Sequence, residues 1–148
     1  MDITTATFGD VPALAELLSE LFTQEAEFTP DENAQRRGLA RIISNPEIGF
    51  ILVAKDENST LGMVNILYVV STFLGERAGL LEDMIVAPRA RGAGIGGRLL
   101  DRAIATARHQ GCKRMTLLTD LTNERAQRFY RHHGFAPSPM VPMRLTLD

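Results

Sequence analysis

The chain has 148 residues, a length that suits one domain built around one hydrophobic core. Apolar residues make up 45% and charged residues 23%, which is ordinary globular usage and excludes a disordered chain. With a net charge of −2 and arginines dispersed among acids except at Arg89, Arg91 and Arg98, there is no basic field for DNA or RNA, and no nucleic-acid partner is expected.

Met1 to Thr5 lack the charged start and apolar core of a signal peptide, and no apolar run approaches membrane-spanning length. A cytoplasmic protein with no membrane partner is expected. Ile3 to Thr7 is β-branched and reads as a strand; after Gly9-Asp10, Val11, Leu14, Leu17, Leu18 and Leu21 recur at helical spacing. Gln24 to Pro30 is acidic and irregular, and Asp31 is placed to cap a second helix with Leu39, Ile42 and Ile43 on its apolar stripe. Phe50 to Ala54 and Leu61 to Ser71 read as two strands of a hairpin around an Asp56 to Ser59 turn, followed by a third antiparallel strand from Ala78 to Val86.

Beyond Ala87 to Arg91 the period turns helical, with Ile95, Leu99, Leu100, Ile104 and Ala107 on one side as far as Gly111. Met115 to Leu118 is a further strand, Asn123 starts a short helix that stops at Gly134, and Met140 to Leu147 is a last extended segment interrupted by Pro142. The single cysteine, Cys112, reads as a small buried residue, not a nucleophile. No repeat or linker divides residues 1–148. The hairpins and the later β-α-β unit must then share one mixed, mainly antiparallel sheet flanked by about four helices, an α+β arrangement in a single domain.

Arg91-Gly92-Ala93-Gly94-Ile95-Gly96-Gly97 places four glycines between a strand and a helix. Unpaired N–H groups and the helix dipole attract an anion there, and glycine allows close backbone approach and positive φ, so the loop reads as a phosphate cradle. Gly92, Gly94 and Gly97 also satisfy the G-x-G-x-x-G dinucleotide pattern, with Asp120 near the position of a ribose-binding acid. Against a nicotinamide cofactor stand the five residues between strand and loop, the single β-α-β unit and the lack of chain for a substrate domain.

Arg91, Gly94 and Gly96, followed by Asn123, Ala126, Phe129-Tyr130 and Gly134-Phe135, resemble the two signatures of the GNAT superfamily of N-acetyltransferases, and the resemblance covers nearly the whole chain. It implies acetyl-CoA as cosubstrate and no metal. Backbone groups of Met84, Ile85 and Val86 and the side chain of Asn123 would hold the pantetheine arm. The loop of Arg91, Gly92, Ala93, Gly94, Ile95, Gly96 and Gly97 would hold the pyrophosphate, and Tyr130 would protonate the leaving thiolate. Asn123 and Tyr130, seven residues apart, are expected on one helix face. The adjacent His132 and His133 diverge by about 100° and read as a surface pair.

Acetyl transfer needs a base, since a free alkylamine with pKa near ~10.4 is charged at neutral pH. Glu82 and Asp83 interrupt an apolar strand and must face opposite ways. Glu82 shares parity with Met84 and Val86, and the resemblance implies a glutamate there acting through water. Glu82 is the expected base and Asp83 a substrate ligand or alternative base, an order that a bulge would reverse. The acceptor, a small-molecule amine or a peptide or protein amine, would lie near Phe22 to Asp31, with Glu25 and Glu27, and Tyr68 to Arg77. A non-catalytic acyl-CoA-binding or regulatory module on the same fold is the other reading, and a homodimer is left open.

Overall fold

The long apolar runs at the centre of the sequence form strands that can be covered on both faces, and they make the middle of a five-stranded sheet. In the computed structural model, which describes residues 1–25 and 27–148, the strands are β1 (Asp2–Thr5), β2 (Gly49–Lys55), β3 (Thr60–Ser71), β4 (Glu76–Val86) and β5 (Met115–Leu117). Ala26, inside the expected acidic segment from Gln24 to Pro30, lies outside the described residues. The strands lie side by side in chain order; β1 to β4 pair antiparallel, and β5 joins β4 in parallel. This is the expected mixed, mainly antiparallel sheet. Among the described residues no helix is long and apolar enough to cross a membrane.

Two apolar layers sandwich the sheet. On one face, α1 (Val11–Gln24) and α2 (Glu32–Ser44) lay Leu14, Leu18 and Leu39 over Ile51, Val53, Met63 and Ile85. On the other, α3 (Ile95–His109) packs Leu99, Leu100 and Ala103 over Leu52, Val64, Ile66 and Leu81, and α4 (Glu124–His132) adds Phe129 and Tyr130. The side chain of Asp31 caps α2 by accepting from the Ala34 N–H at 3.2 Å. Buried Gln35 ties the two helices together: its amide donates to the Ala15 carbonyl and the Ser19 hydroxyl, both at 2.9 Å, and accepts from the Asp31 N–H at 2.8 Å.

The expected last strand does not join the sheet. Residues 136–148 have no strand assignment, and Met140 to Leu147 stand largely in solvent. Pro139 and Pro142 lack the N–H groups a ladder needs, and the neighbouring edge, β5, is only three residues long.

Asp10 anchors the turn into α1. Buried, it accepts from the Thr7 N–H at 2.8 Å and pairs with the Lys55 ammonium from β2. Burial works against its charge, but the Lys55 and Thr7 hydrogen bonds outweigh that and hold its carboxyl below the ordinary value. Its folded pKa being depressed, its contribution is complete above the unfolded pKa near 3.8 and is lost as pH falls through the folded value. Asp10→Asn is expected to cost about 1–3 kcal/mol at neutral pH, read as a lower urea midpoint, with the gap to the unsubstituted protein closing as the pH drops below 4.

Candidate active site

The site is built on an irregularity in β4. Asn65 of β3 faces Asp83, but the next residue, Ile66, faces Leu81, so Glu82 is an extra residue bulged out of the ladder. The bulge reverses the parity expected for this strand. Before it, Leu81 packs on the α3 face; after it, Ile85 packs on the α1 face, and Asp83 shares that side. Glu82 is exposed, whereas Asp83 is partly buried and its carboxylate accepts a hydrogen bond from the Asn65 amide at 3.0 Å.

Pairing between β4 and β5 covers only Gly79 to Leu81 against Met115 to Leu117, so the edge of β4 is open from the bulge to Val86. The Ala87 N–H bonds back to the Leu61 carbonyl at 2.8 Å, which by alternation turns the backbone groups of Met84 and Val86 outward to that open edge. Those of Ile85 turn toward β3, and its side chain is core. An extended polar ligand can replace the missing strand along Met84 and Val86.

Past a short 3-10 turn at Pro88–Ala90, Arg91 folds back so that its Nε donates to the outward Val86 carbonyl at 3.2 Å. Gly94 is the N-cap of α3 at φ +78°, and Gly92 has φ +86°, conformations that favour glycine over any residue with a Cβ. A Cβ on Gly94 would meet no protein atom and would project into open space. The Arg98 N–H is the first to bond back into the helix, to the Gly94 carbonyl at 3.2 Å. The N–H groups of Ile95, Gly96 and Gly97 are therefore left for an anion. The open edge and the helix start adjoin through Gly96, where a Cβ would touch Val86 and Phe129 at 3.5 and 3.6 Å.

Five carboxylates gather around the bulge and the end of α1. Glu25, half-buried just beyond the end of α1, has its pKa raised to about 7 by burial first and then by the charges of Asp83, Asp120, Glu82 and Glu27. Asp83 is raised to about 6, chiefly by burial and further by Glu82, against the lowering effect of the Asn65 hydrogen bond. The hydroxyl of Tyr130 on α4 is pushed up to about 12, first by burial and then by Glu25. Its ring is fixed by edge contacts with Phe129 and Phe135, centroids 5.3 and 5.8 Å away. An open strand edge thus lies among a carboxyl poised near neutrality, a phenol that keeps its proton and a free helix start.

Several expected residues do other work. Asn123 is not on the face of α4 but caps its start, its carbonyl oxygen accepting from the Ala126 N–H at 3.0 Å, which leaves only its amide N–H groups to reach a ligand. His133 is half-buried against Gly97 and Phe129 and meets Asp101 at 3.0 Å, tying α4 to α3; only His132 is at the surface. Tyr68 lies on the α3 face with the Arg77 guanidinium 4.3 Å above its ring, and Arg77 donates to the Gln110 carbonyl. That hairpin end is about 20 Å along β4 from Asp83 and does not shape the acid cluster. Cys112 is buried, and burial pushes its thiol pKa up. Glu25 shows in the sequence only as one acid among several; its nearness to Asp83 arises from packing α1 on the sheet.

The model of the Acetyltransferase (GNAT) family matches residues 11–135. The chain is 29% identical over 135 residues to an uncharacterized N-acetyltransferase of Bacillus subtilis, YhfO, covering 91% of this chain and 89% of the relative. It is 26% identical to the aminoalkylphosphonate N-acetyltransferase of Salmonella typhimurium, over 93% and 86% of the two chains. A crystal structure described as a probable acetyltransferase superposes with a TM-score of 0.85 at 25% identity, covering 100% of this chain and 99% of that one.

The raised acids carry a stability cost with a definite sign. Because the folded pKa of Asp83 lies above its unfolded value, the folded state loses stability as pH rises from about 4 through about 6. Asp83→Asn is expected to remove that slope, so the variant gains on the unsubstituted protein between pH 4 and 7 in urea titrations. Asn65→Ala, which deletes the hydrogen bond favouring the ionised form, should raise the Asp83 pKa further when read by carboxyl carbon NMR.

Proposed function

The chain belongs to the GNAT family of acetyltransferases and is an acyltransferase; on that footing we propose that it transfers the acetyl group of acetyl-CoA directly to a primary amine at the β4 bulge. The observation that carries this reading is the edge of β4 left open beyond the bulge, with Asp83 on the α1 side of the sheet and Tyr130 in the layer on the other side. Outward N–H groups of Met84 and Val86 hold the pantetheine arm, with an amide N–H of Asn123 as a further donor. The loop from Arg91 to Gly97, including Gly92, Ala93, Gly94, Ile95 and Gly96, holds the pyrophosphate against the start of α3.

The base is assigned to Asp83 in place of Glu82. A base works best with a pKa near the working pH, and burial gives Asp83 that value, while Glu82 stands exposed on the bulge and raises Asp83 by its charge. Asp83 takes the proton of the arriving ammonium. The neutral nitrogen attacks the thioester carbon, the C–S bond breaks as the C–N bond is kept, and the departing thiolate takes the Tyr130 hydroxyl proton. The surplus proton on nitrogen returns through the carboxylates to the Tyr130 phenolate, and Asp83 gives up its proton to solvent, which restores both groups.

The acceptor is a cationic amine with no anionic group near its nitrogen. Glu25, Glu82, Asp83 and Asp120 act as a negative cluster that attracts an ammonium and repels a phosphonate such as the acceptor named for the Salmonella relative. Thiol release from acetyl-CoA, followed across a panel of diamines, simple alkylamines, peptide amines and aminoalkylphosphonates, tests both statements. Turnover with diamines above phosphonates is expected; acetyl-CoA binding with no turnover of any amine would sink the reading. Tyr130→Phe should lower kcat by about 100-fold or more with the KM for acetyl-CoA little changed. Asp83→Asn should lower kcat/KM by about 100-fold or more and abolish the limb that rises with pH between about 6 and 7. Glu82→Gln should keep that limb. Gly94→Glu is expected to abolish acetyl-CoA binding.

A further inference from the structure

The stripe that α1 lays on the sheet ends on a glutamate. Leu14, Leu18 and Leu21 follow one another at helical spacing and pack into the core under α1, and the next position of the same stripe, one turn past Leu21, is Glu25. The Glu25 N–H still bonds to the Leu21 carbonyl at 3.2 Å, so the helical spacing carries through to it and its side chain stands half-buried on the side of α1 that meets the sheet. Charge at that position is unbalanced. Glu27 has Arg144 at 2.7 Å, but among the described residues no cation lies within ion-pair distance of Glu25 or Asp83.

The sheet beneath α1 carries an acceptor with nothing to accept. Asn65, opposite core residue Ile51 in the ladder, is only 3% exposed. Its amide N–H holds Asp83 at 3.0 Å, which aims the side chain into the acid group, yet among the described residues its Oδ1 has no hydrogen-bond partner. A buried oxygen left so is costly, and folded chains keep few of them. Of the neighbouring charges, that of Asp83 acts most strongly on Glu25, a mark of their nearness. Two carboxylates and an amide oxygen therefore gather at one place without enough donors. A primary ammonium supplies what is missing, with three N–H groups and one positive charge.

We propose that Glu25, Asp83 and the Oδ1 of Asn65 form a three-acceptor seat for the acceptor's ammonium, one acceptor for each N–H, and that this seat selects primary amines over N-methylated ones. The inference rests on the reading that an amine is acetylated at the bulge, and adds the residues that hold its nitrogen. In the free protein the Asn65 Oδ1 is sealed from solvent; its amide turns on a soft torsion, so rotation toward a nitrogen seated on Asp83 completes the third bond. Once Asp83 has taken one proton, the other two N–H groups stay on Glu25 and Asn65 and hold the nitrogen while its lone pair attacks. A secondary ammonium has one N–H fewer. One acceptor then faces a methyl group, and a polar atom left unpaired in this way is what makes a hydrogen-bonding site selective.

The probes are propylamine and N-methylpropylamine, both cationic near neutral pH, titrated into the full chain with and without CoA while NMR follows the carboxyl carbons of Glu25 and Asp83. A seated ammonium lowers both carboxyl pKa values, and propylamine is expected to bind about 10-fold or more tighter than its N-methyl analogue. Glu25→Ala and Asn65→Ala, read at the remaining carboxyls, should each weaken propylamine about 10-fold or more and bring the ratio of the two amines toward one. Glu25→Ala, at a helix end, keeps the test standing if Asn65→Ala folds poorly. A side chain that acts only on the fold or the field weakens both amines alike, so an unchanged ratio in either variant overturns the proposal, as do carboxyls that never respond to propylamine. Acetyl-CoA then separates the two claims. Selective amine binding without thiol release keeps the seat and sinks acetyl transfer, whereas thiol release at equal rates with both amines keeps transfer and sinks the seat.

Discussion

One extra residue in a strand governs the whole arrangement. With Glu82 outside the ladder, β4 turns Asp83 toward α1 and Asn65, while Met84 and Val86 keep their backbone groups on an edge that β5 no longer covers. A regular strand would carry the alternation of Leu81 straight through, putting Asp83 on the α3 face and Ile85 out of its core. The bulge thus makes two things at once: a gap that an extended cosubstrate can enter and a carboxylate set beside it with too little water to stay fully ionised.

The two helical layers complete what the bulge begins. α1 brings Glu25 to the acids from one side, held in place by the Gln35 bridge to α2 and by the core under Leu14 and Leu18. From the other side α3 begins at Gly94 with its free N–H groups, and α4 sets Tyr130 between Phe129 and Phe135. His133 and Asp101 fasten α4 to α3, joining the helix that carries Tyr130 to the helix that starts at Gly94. Burial raises both Asp83 and Tyr130, yet the outcome differs: the acid sits close to its pKa near neutral pH, and the phenol keeps its proton there.

Much of this was legible in the sequence where the signal is local. The glycine loop, the helix after it and the Asn123 to Phe135 pattern lie in continuous stretches, and each element forms where its period and caps indicate. Parity along Leu80 to Val86 was legible only as a pair of alternatives, because a bulge is chosen by pairing with β3 and two adjacent acids do not say which is displaced. Glu25 was one acid in an acidic loop, since its approach to Asp83 depends on the packing of α1, which no short pattern encodes. Asn123 was placed on the helix when it is the cap, one residue that changes where its oxygen points. The last segment shows strand alternation in the sequence and no strand in the fold, because Pro139 and Pro142 lack ladder N–H groups and β5 offers an edge of only three residues.

The most direct measurement is the crystal structure of the protein with CoA bound. The account predicts the pantetheine arm hydrogen-bonded to the outward backbone of Met84 and Val86, the pyrophosphate on the N–H groups of Ile95 to Gly97, and the sulfur within hydrogen-bond reach of the Tyr130 hydroxyl. A CoA molecule lying in the groove beside β5 near Cys112 and Phe135, with the edge of β4 left bare, would contradict it.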